Sequence, residues 1–551
     1  MTRFLDWWKR DKRYIVLIKS ILLGLLPVAC CLTYCAVQGR SIGEVYLPGS
    51  EWNDELFYYK QVEGIVKYGY PQGYFGFNES HALKLSFAAW SPVLVFPWIL
   101  WGLLFGWNLM SPIICNILLM TLACVLFVWL VKPSWRQSGV LALLFCLFTP
   151  FVRYMLSVMP EVICFSLLII FYSLAVSWLR RERTGKLILL FVLSAVMTLM
   201  RPYMLLFLLL PVWFWVRRSG WKGAVGSLAV AGVTLGAYAA IKHYFGAEYF
   251  APLFFTDWVE AFFEQGFFQG IRYTLGKLYH MGRDFWAHTL QGLRTGLCSG
   301  AYFAGYLICM LILFVQSVAD GRKLRRLKAE NAAGDTDADG DTDAAGYAAG
   351  RIAELKTKLT VEAHLCFSFV GMFFALLLMY KLTEGSKHLL TFMAAAVFVI
   401  SVMETKFFKK AVLLGAAFVY LYTVKATDPY DYQVPFAEEQ RQAEVESWRE
   451  QLREQMTLAD KEAPNYDNVV IWVFNDVIDR TAVNTQWQLL YALPEGFGIS
   501  CCMGDYVREN FDSLQSRYLC VTPKGEIEER CIAAGYVRLA ESETAVLYQR
   551  Y

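Results

Sequence analysis

Residues Tyr14 to Val37 read YIVLIKSILLGLLPVACCLTYCAV, an apolar run interrupted by a single charge, Lys19. About 20 consecutive apolar residues span the hydrocarbon core of a bilayer as a helix. This run is too long for the core of a signal peptide and has no clean small-residue cleavage site, so it reads as a retained membrane anchor. Similar runs recur to about Val424 in a chain that is 57% hydrophobic and only 18% charged. The fold class that follows is an α-helical polytopic membrane protein with about eleven transmembrane helices.

The basic residues fall in short clusters between the apolar runs: Arg3–Arg13, Lys132–Arg136, Arg180–Lys186, Arg217–Lys222, Arg322–Lys328 and Lys406–Lys410. Such clusters mark cytoplasmic loops. With a net charge of +3 dispersed in this way, nothing points to nucleic acid. Placing all six clusters on one side requires that Ala89–Trp107 not cross, and Pro92, Pro97 and four tryptophans in it suit an interfacial or re-entrant helix. The other spans are expected near 110–131, 139–156, 160–179, 187–200, 202–216, 223–245, 296–318, 359–380, 388–404 and 411–425. The N-terminus is then cytoplasmic. The loop 38–110, the turn at Arg201, the segment 246–295, Lys381–Lys387 and everything after Lys425 lie outside. The short cytoplasmic loops suit a bacterial plasma membrane.

Two regions are not membrane-like. The stretch 329–351, including NAAGDTDADGDTDAAGYAAG, reads as an acidic cytoplasmic linker. Its Asp335, Asp337 and Asp339 open like a calcium loop, but Gly346 stands where a bidentate glutamate would close it. From 428 to 551, a polar helix at Glu438–Met456 precedes strand-like Val469–Phe474, Ile499–Met503, Tyr518–Val521 and Ala545–Tyr548. Helix-like Asp505–Leu514 and Glu526–Ala534 lie between them. This is a small extracytoplasmic α/β domain following a transmembrane domain at 1–427. Cys501, Cys502, Cys520 and Cys531 fall here, their pairing open.

Chemistry concentrates just beyond the first anchor, in Glu51-Trp-Asn-Asp-Glu-Leu-Phe-Tyr-Tyr59. If Glu51–Lys67 is helical, Glu51, Asp54, Glu55 and Tyr58 share a face, although Asp54 and Glu55 cannot point the same way. A carboxylate here could take a proton from an acceptor hydroxyl or hold a divalent cation. The plainer alternative is a solvated helix face. Glu79 and His81 are poorly spaced for a metal, and no metal ligand or cofactor is specified. Lys84 stands before the interfacial stretch, where it would meet a lipid phosphate or snorkel. Arg153, Glu161, Arg201, Lys387 and His388 all sit at outer-side turns, where ionisable groups tend to face a cavity and cations suit phosphate. Trp258, Phe262, Phe263, Phe267 and Phe268, interleaved with Glu260 and Glu264, suit an interfacial amphipathic segment.

The first-loop Asp-Glu pair, the interfacial helix, Arg201-Pro202 between mid-chain spans, the Glu-Gly-Ser-Lys-His turn ending at His388 and the outer C-terminal domain together resemble the GT-C superfamily of integral-membrane glycosyltransferases. Lipid A aminoarabinose transferases and protein O-mannosyltransferases are similar. The resemblance implies inverting transfer from a polyprenyl-phosphate sugar donor at the outer face. Asp54, or less readily Glu55, would be the base. Arg201, Lys387 and Lys84 would neutralise the leaving phosphate. Lys387 and His388 stand where an arginine is more usual. Two other functions compete, a transporter or flippase of lipid-linked saccharide and a non-catalytic membrane scaffold. No internal repeat of the kind common in transporters is evident.

Overall fold

The computed structural model describes residues 12–49, 53–69, 75–79, 91–246, 254–295, 298–334, 342–380, 382, 386–402, 434–459, 466–474 and 486–551. The expected span 411–425, the basic cluster Lys406–Lys410, the part of the Arg3–Arg13 cluster before Lys12, Lys84, His81 and the calcium-like aspartates lie outside these residues.

The anchor forms α1 (Lys12–Gly24) and α2 (Leu26–Val37), which run on with Pro27 in the first turn of α2. Proline is tolerated there because the first amides of a helix have no intrahelical acceptor. The first-loop helix α3 (Asn53–Tyr68) is followed by a three-residue strand β1 (Phe75–Phe77). A 3-10 turn at Pro92–Val95 leads into α4 (Phe96–Phe105), whose 10 residues span about 15 Å, half a hydrocarbon core. The bundle continues with α5 (Ser111–Val131), α6 (Trp135–Leu147), α7 (Pro150–Met155), α8 (Glu161–Arg180), α9 (Thr184–Met200), α10 (Leu205–Ser219) and α11 (Trp221–Phe245). The segment 139–156, expected as one span, is two helices, because Thr149-Pro150 cannot continue α6.

After α12 (Asp257–Glu264) and α13 (Phe267–Thr295) come two long helices, α14 (Cys298–Gly334) and α15 (Thr342–Met379). Their facing ends fall within the stretch read as an acidic linker, 329–351. Helix runs to Gly334 and resumes at Thr342, carried by alanine-rich sequence that favours it, and residues 335–341 lie outside the description. α16 (Leu389–Val402) closes the described bundle.

Six of these helical stretches are long and apolar enough to cross a membrane, beginning with Tyr14–Val37, and four shorter apolar helices accompany them. Burial separates the centre from the periphery. Every residue of α16 from Leu389 to Ser401 is buried, and α8 is nearly so, with both helices packed on each other. α11, by contrast, exposes Leu228 and Val233 almost fully. An apolar face of that size is tolerable only against lipid. Serines inside α8 bond back to the carbonyl four residues earlier, as Ser173 does at 2.6 Å, which satisfies their hydroxyls without water.

The C-terminal region begins with α17 (Glu439–Gln455). It continues through β2 (Val469–Phe474), β3 (Gly498–Met503), α18 (Gly504–Asn510), β4 (Tyr518–Val521), α19 (Glu526–Ala533), β5 (Val537–Glu541) and β6 (Val546–Gln549). The sheet order is β1-β3-β2-β4-β6-β5. β1, from the first loop, pairs in parallel with β3, Phe75 opposite Ile499. The sheet is therefore completed by a strand that precedes most of the bundle. Cys501, Cys502, Cys520 and Cys531 are free, buried thiols.

Candidate functional site

The site assembles where α3 lies between the bundle and the sheet. On the sheet side, Lys60 Nζ donates to the Leu493 carbonyl at 3.0 Å and to Glu63 at 2.8 Å, while Tyr68 donates to the Gly496 carbonyl at 3.2 Å. On the bundle side, Trp107 Nε1 donates to the Tyr59 carbonyl at 3.1 Å. The rings of Phe57 and Trp472 and of Tyr59 and Tyr491 meet across these contacts. A helix gripped on both faces has little freedom to shift its first turn, where Asp54 and Glu55 stand.

The two carboxylates diverge. Glu55 is wholly buried, and its Oε1 accepts from the Val158 amide at 3.0 Å. That amide belongs to the irregular turn between α7 and α8. Asn116 holds the same turn from α5, its Nδ2 2.8 Å from the Ser157 carbonyl and its Oδ1 accepting from Trp98. Glu55 thus pins the first loop to the bundle. Asp54 points elsewhere and forms an ion pair with Lys387, the two side chains 36% and 34% exposed.

Lys387 lies in the 3-10 turn Ser386–His388, which opens α16. Burial works against its ammonium, but the charges of Asp54 and Glu161 and the hydrogen bond it donates to Asp54 prevail and hold its pKa above the ordinary lysine value. One residue on, His388 is buried beside Arg201, whose Nη1 lies 3.2 Å from Nδ1. An arginine only donates, so Nδ1 accepts and the ring proton sits on Nε2. His388 is thus placed as an acceptor to Arg201.

Arg201 occupies the extended break between α9 and α10, fixed by Pro202 after it. It is 1% exposed and donates to Glu161 Oε1 at 2.6 Å and to the Tyr203 hydroxyl at 2.9 Å. Glu161 opens α8, where a carboxylate meets the positive end of the helix. Arg153 is buried on α7, a few residues before Val158.

Five of the expected residues, Asp54, Glu161, Arg201, Lys387 and His388, therefore form one cluster. Glu55 sits beside it as an anchor, and Lys84 lies outside the described residues. The cluster is nearly balanced, Asp54 and Glu161 against Lys387 and Arg201. No group of three or more His, Cys, Asp or Glu side chains suited to a metal occurs among the described residues.

Sequence reasoning passed over Glu79. It was weighed only as a weak metal ligand, but its Oε1 accepts from the Ser516 amide and hydroxyl, both at 2.6 Å, and from the Gln515 amide at 3.1 Å. With Asn78 accepting from the Met503 amide at 3.0 Å, it clamps the end of β1 to the sheet. Both residues hold positive φ, 49° and 58°. The polar pair Asn78-Glu79 after a Gly/Pro/Tyr turn was the available signal.

No protein-family model matches the chain, and no curated protein matches it. Among solved structures it is similar to crystal structures of ArnT from Cupriavidus metallidurans. The one bound to undecaprenyl phosphate has 10% sequence identity and a TM-score of 0.38, and the match covers 96% of this chain and 97% of that chain. The apo structure has 11% identity, a TM-score of 0.40 and the same coverage. A likeness at that level carries no argument about chemistry.

Proposed function

We propose that the chain is a membrane glycosyltransferase that moves a sugar from a polyprenyl-phosphate donor to an acceptor hydroxyl at the outer face of the membrane. The observation that carries this reading is the Asp54–Lys387 pair. A carboxylate and an ammonium meet at the accessible rim of an otherwise buried cluster, on elements 333 residues apart. Glycosyl transfer from a phosphate needs one group to take a proton and one to receive developing negative charge.

In the proposed step Asp54 takes the proton of the acceptor hydroxyl as its oxygen bonds to the anomeric carbon. The bond from that carbon to the phosphate oxygen breaks, and its electron pair leaves with the polyprenyl phosphate. A single displacement inverts the anomeric centre. Lys387 cannot serve Asp54 and the phosphate equally, so donor binding draws the ammonium toward the phosphate and frees the carboxylate to act as base. Arg201, committed to Glu161, acts by its field and by holding His388. Lys84 is retained as a phosphate contact on the strength of its sequence position, and Glu55 holds Asp54 in register.

The test uses the purified full chain in nanodiscs with a panel of polyprenyl-phosphate sugars and measures release of polyprenyl phosphate. Turnover by the wild type that Asp54→Asn and Lys387→Met lose supports the reading. A folded wild type inert toward every donor removes it, and transport of lipid-linked saccharide or scaffolding then becomes the better account. Labelling of the C-terminal residues by an impermeant reagent on intact cells tests the outer-face orientation.

A further inference from the structure

The α12–α13 hairpin carries a second feature, unconnected with the Asp54–Lys387 pair. At about 100° per residue, the 29 residues of α13 divide into three faces. The first is inward. The Phe285 ring is tilted against Phe303 of α14, ring centroids 4.6 Å apart, and meets Phe373 of α15 edge to face at 5.2 Å. Gly292 approaches Gly300 so closely that a Cβ on the latter would stand 2.5 Å from its Cα.

The second face is apolar and unburied. Phe268, Leu275, Tyr279, Trp286 and Leu290 recur at helical intervals, with Phe268 84% and Tyr279 70% exposed. In water such a face would be an aggregation hazard, whereas at a membrane surface it is an aromatic belt. The third face is polar and borders an open cavity of about 510 Å³, lined among others by Asp257, Tyr273, Lys277 and His280, with Arg272 reaching it from the edge of the apolar face.

A helix with one face on protein, one for lipid chains and one polar lies in the membrane interface. Its polar cavity then stands at headgroup depth. Asp257 is already engaged. Tyr273 donates to its Oδ2 at 2.7 Å and Lys277 to its Oδ1 at 2.5 Å, while Lys277 also lies over the Phe255 ring. Glu260 and Glu264, on the same short helix, do not line the cavity. Arg272 is exposed and has no ion pair among the described residues, so the cavity keeps an excess of positive charge beside His280.

We propose that this cavity binds the phosphate of an anionic membrane lipid, with the lipid chains laid along the aromatic face of α13. Arg272 supplies the principal charge-assisted contact. Lys277, held by Asp257, fixes the rim. The continuity of the cation-lined cavity with the exposed aromatics favours a lipid phosphate over a free one. This proposal does not depend on glycosyl transfer.

The experiment uses the full chain in nanodiscs of phosphatidylcholine with a minority of phosphatidylglycerol, and measures phosphatidylglycerol retained after detergent extraction by native mass spectrometry. Arg272→Gln should weaken retention about fivefold, the effect of one cation at a lipid surface. His280→Gln, a second variant, should weaken it less. Arg294→Gln, on the same helix but outside the cavity, should leave it unchanged. Inorganic phosphate in excess should not displace the lipid. Equal retention in Arg272→Gln and His280→Gln overturns the proposal, as does equal loss in Arg294→Gln, which would mean diffuse attraction. Displacement by inorganic phosphate would overturn the lipid assignment.

Discussion

The cluster contains two ion pairs built from the same chemistry and set in different surroundings. Glu161 and Arg201 meet at 2.6 Å with side chains 0% and 1% exposed, between the ends of buried helices. Asp54 and Lys387 meet where each retains about a third of its exposure, between a loop helix and a turn. A fully desolvated pair cannot exchange partners without leaving a charge uncompensated in an apolar interior. A pair at the rim keeps water as an alternative partner and can open at small cost. On the proposed function, the contrast gives the inner pair chiefly to the fold and the outer one to the chemistry.

The largest effect should come from the inner pair. Arg201→Met leaves Glu161 buried without its cation and should destabilise the bundle by about 3–5 kcal/mol, read as a lowered unfolding midpoint in detergent. Wild-type stability in that variant would erase the distinction between the pairs. At the outer pair the expectation reverses. Asp54→Asn should lower turnover by about 10²–10⁴-fold, the usual contribution of a general base, with the unfolding midpoint barely moved. If it unfolds the protein instead, Asp54 is scaffold. Between these extremes stands the Glu79 clamp. Glu79→Gln keeps the size but gives up charge on three donors, and should loosen β1 by about 1–3 kcal/mol. Faster amide exchange at Phe75–Phe77 and at Gly498–Met503, with the bundle unchanged, is the signature.

What the sequence disclosed, and what it withheld, follows the range of the interactions. The first-loop helix was legible because its acidic start and apolar spacing are local, and strands such as Val469–Phe474 were legible as short apolar runs. The turns carrying Arg201 and Lys387 could be picked out because a charge beside an apolar run is conspicuous. Their pairing was not legible. Lys387, expected against the leaving phosphate, is found touching Asp54, and a contact across 333 residues leaves no periodic trace. The contact of His388 with Arg201 likewise spans 187 residues. β1 was missed for the same reason, since Phe75-Gly-Phe77 has no strand signature until β3 is beside it. The helical ends that flank 335–341 were not legible because acidic, alanine-rich sequence reads equally as solvated chain.

The smallest effect is also the sharpest test of the outer pair, because its sign is set by which influence wins at Lys387. Burial alone would depress the ammonium, and Asp54 and Glu161 raise it above the ordinary value. A group with a raised folded pKa contributes stability that is fully present below its unfolded value, about 10.4 for lysine, and lost only as pH rises through the folded value above it. The stability gap between wild type and Lys387→Met should therefore stay constant from about pH 7 to about pH 9 and close only in more alkaline solution. Asp54→Asn removes the nearest raising influence and leaves burial in place, so Lys387 should then lose its proton earlier and react faster with amine-directed reagents near pH 9. A gap that closes between about pH 7 and pH 9 in the wild type would mean that burial outweighs Asp54. The pair would then be too weak to hold the carboxylate in reserve, and the division of labour between the two ion pairs would fail at its outer member.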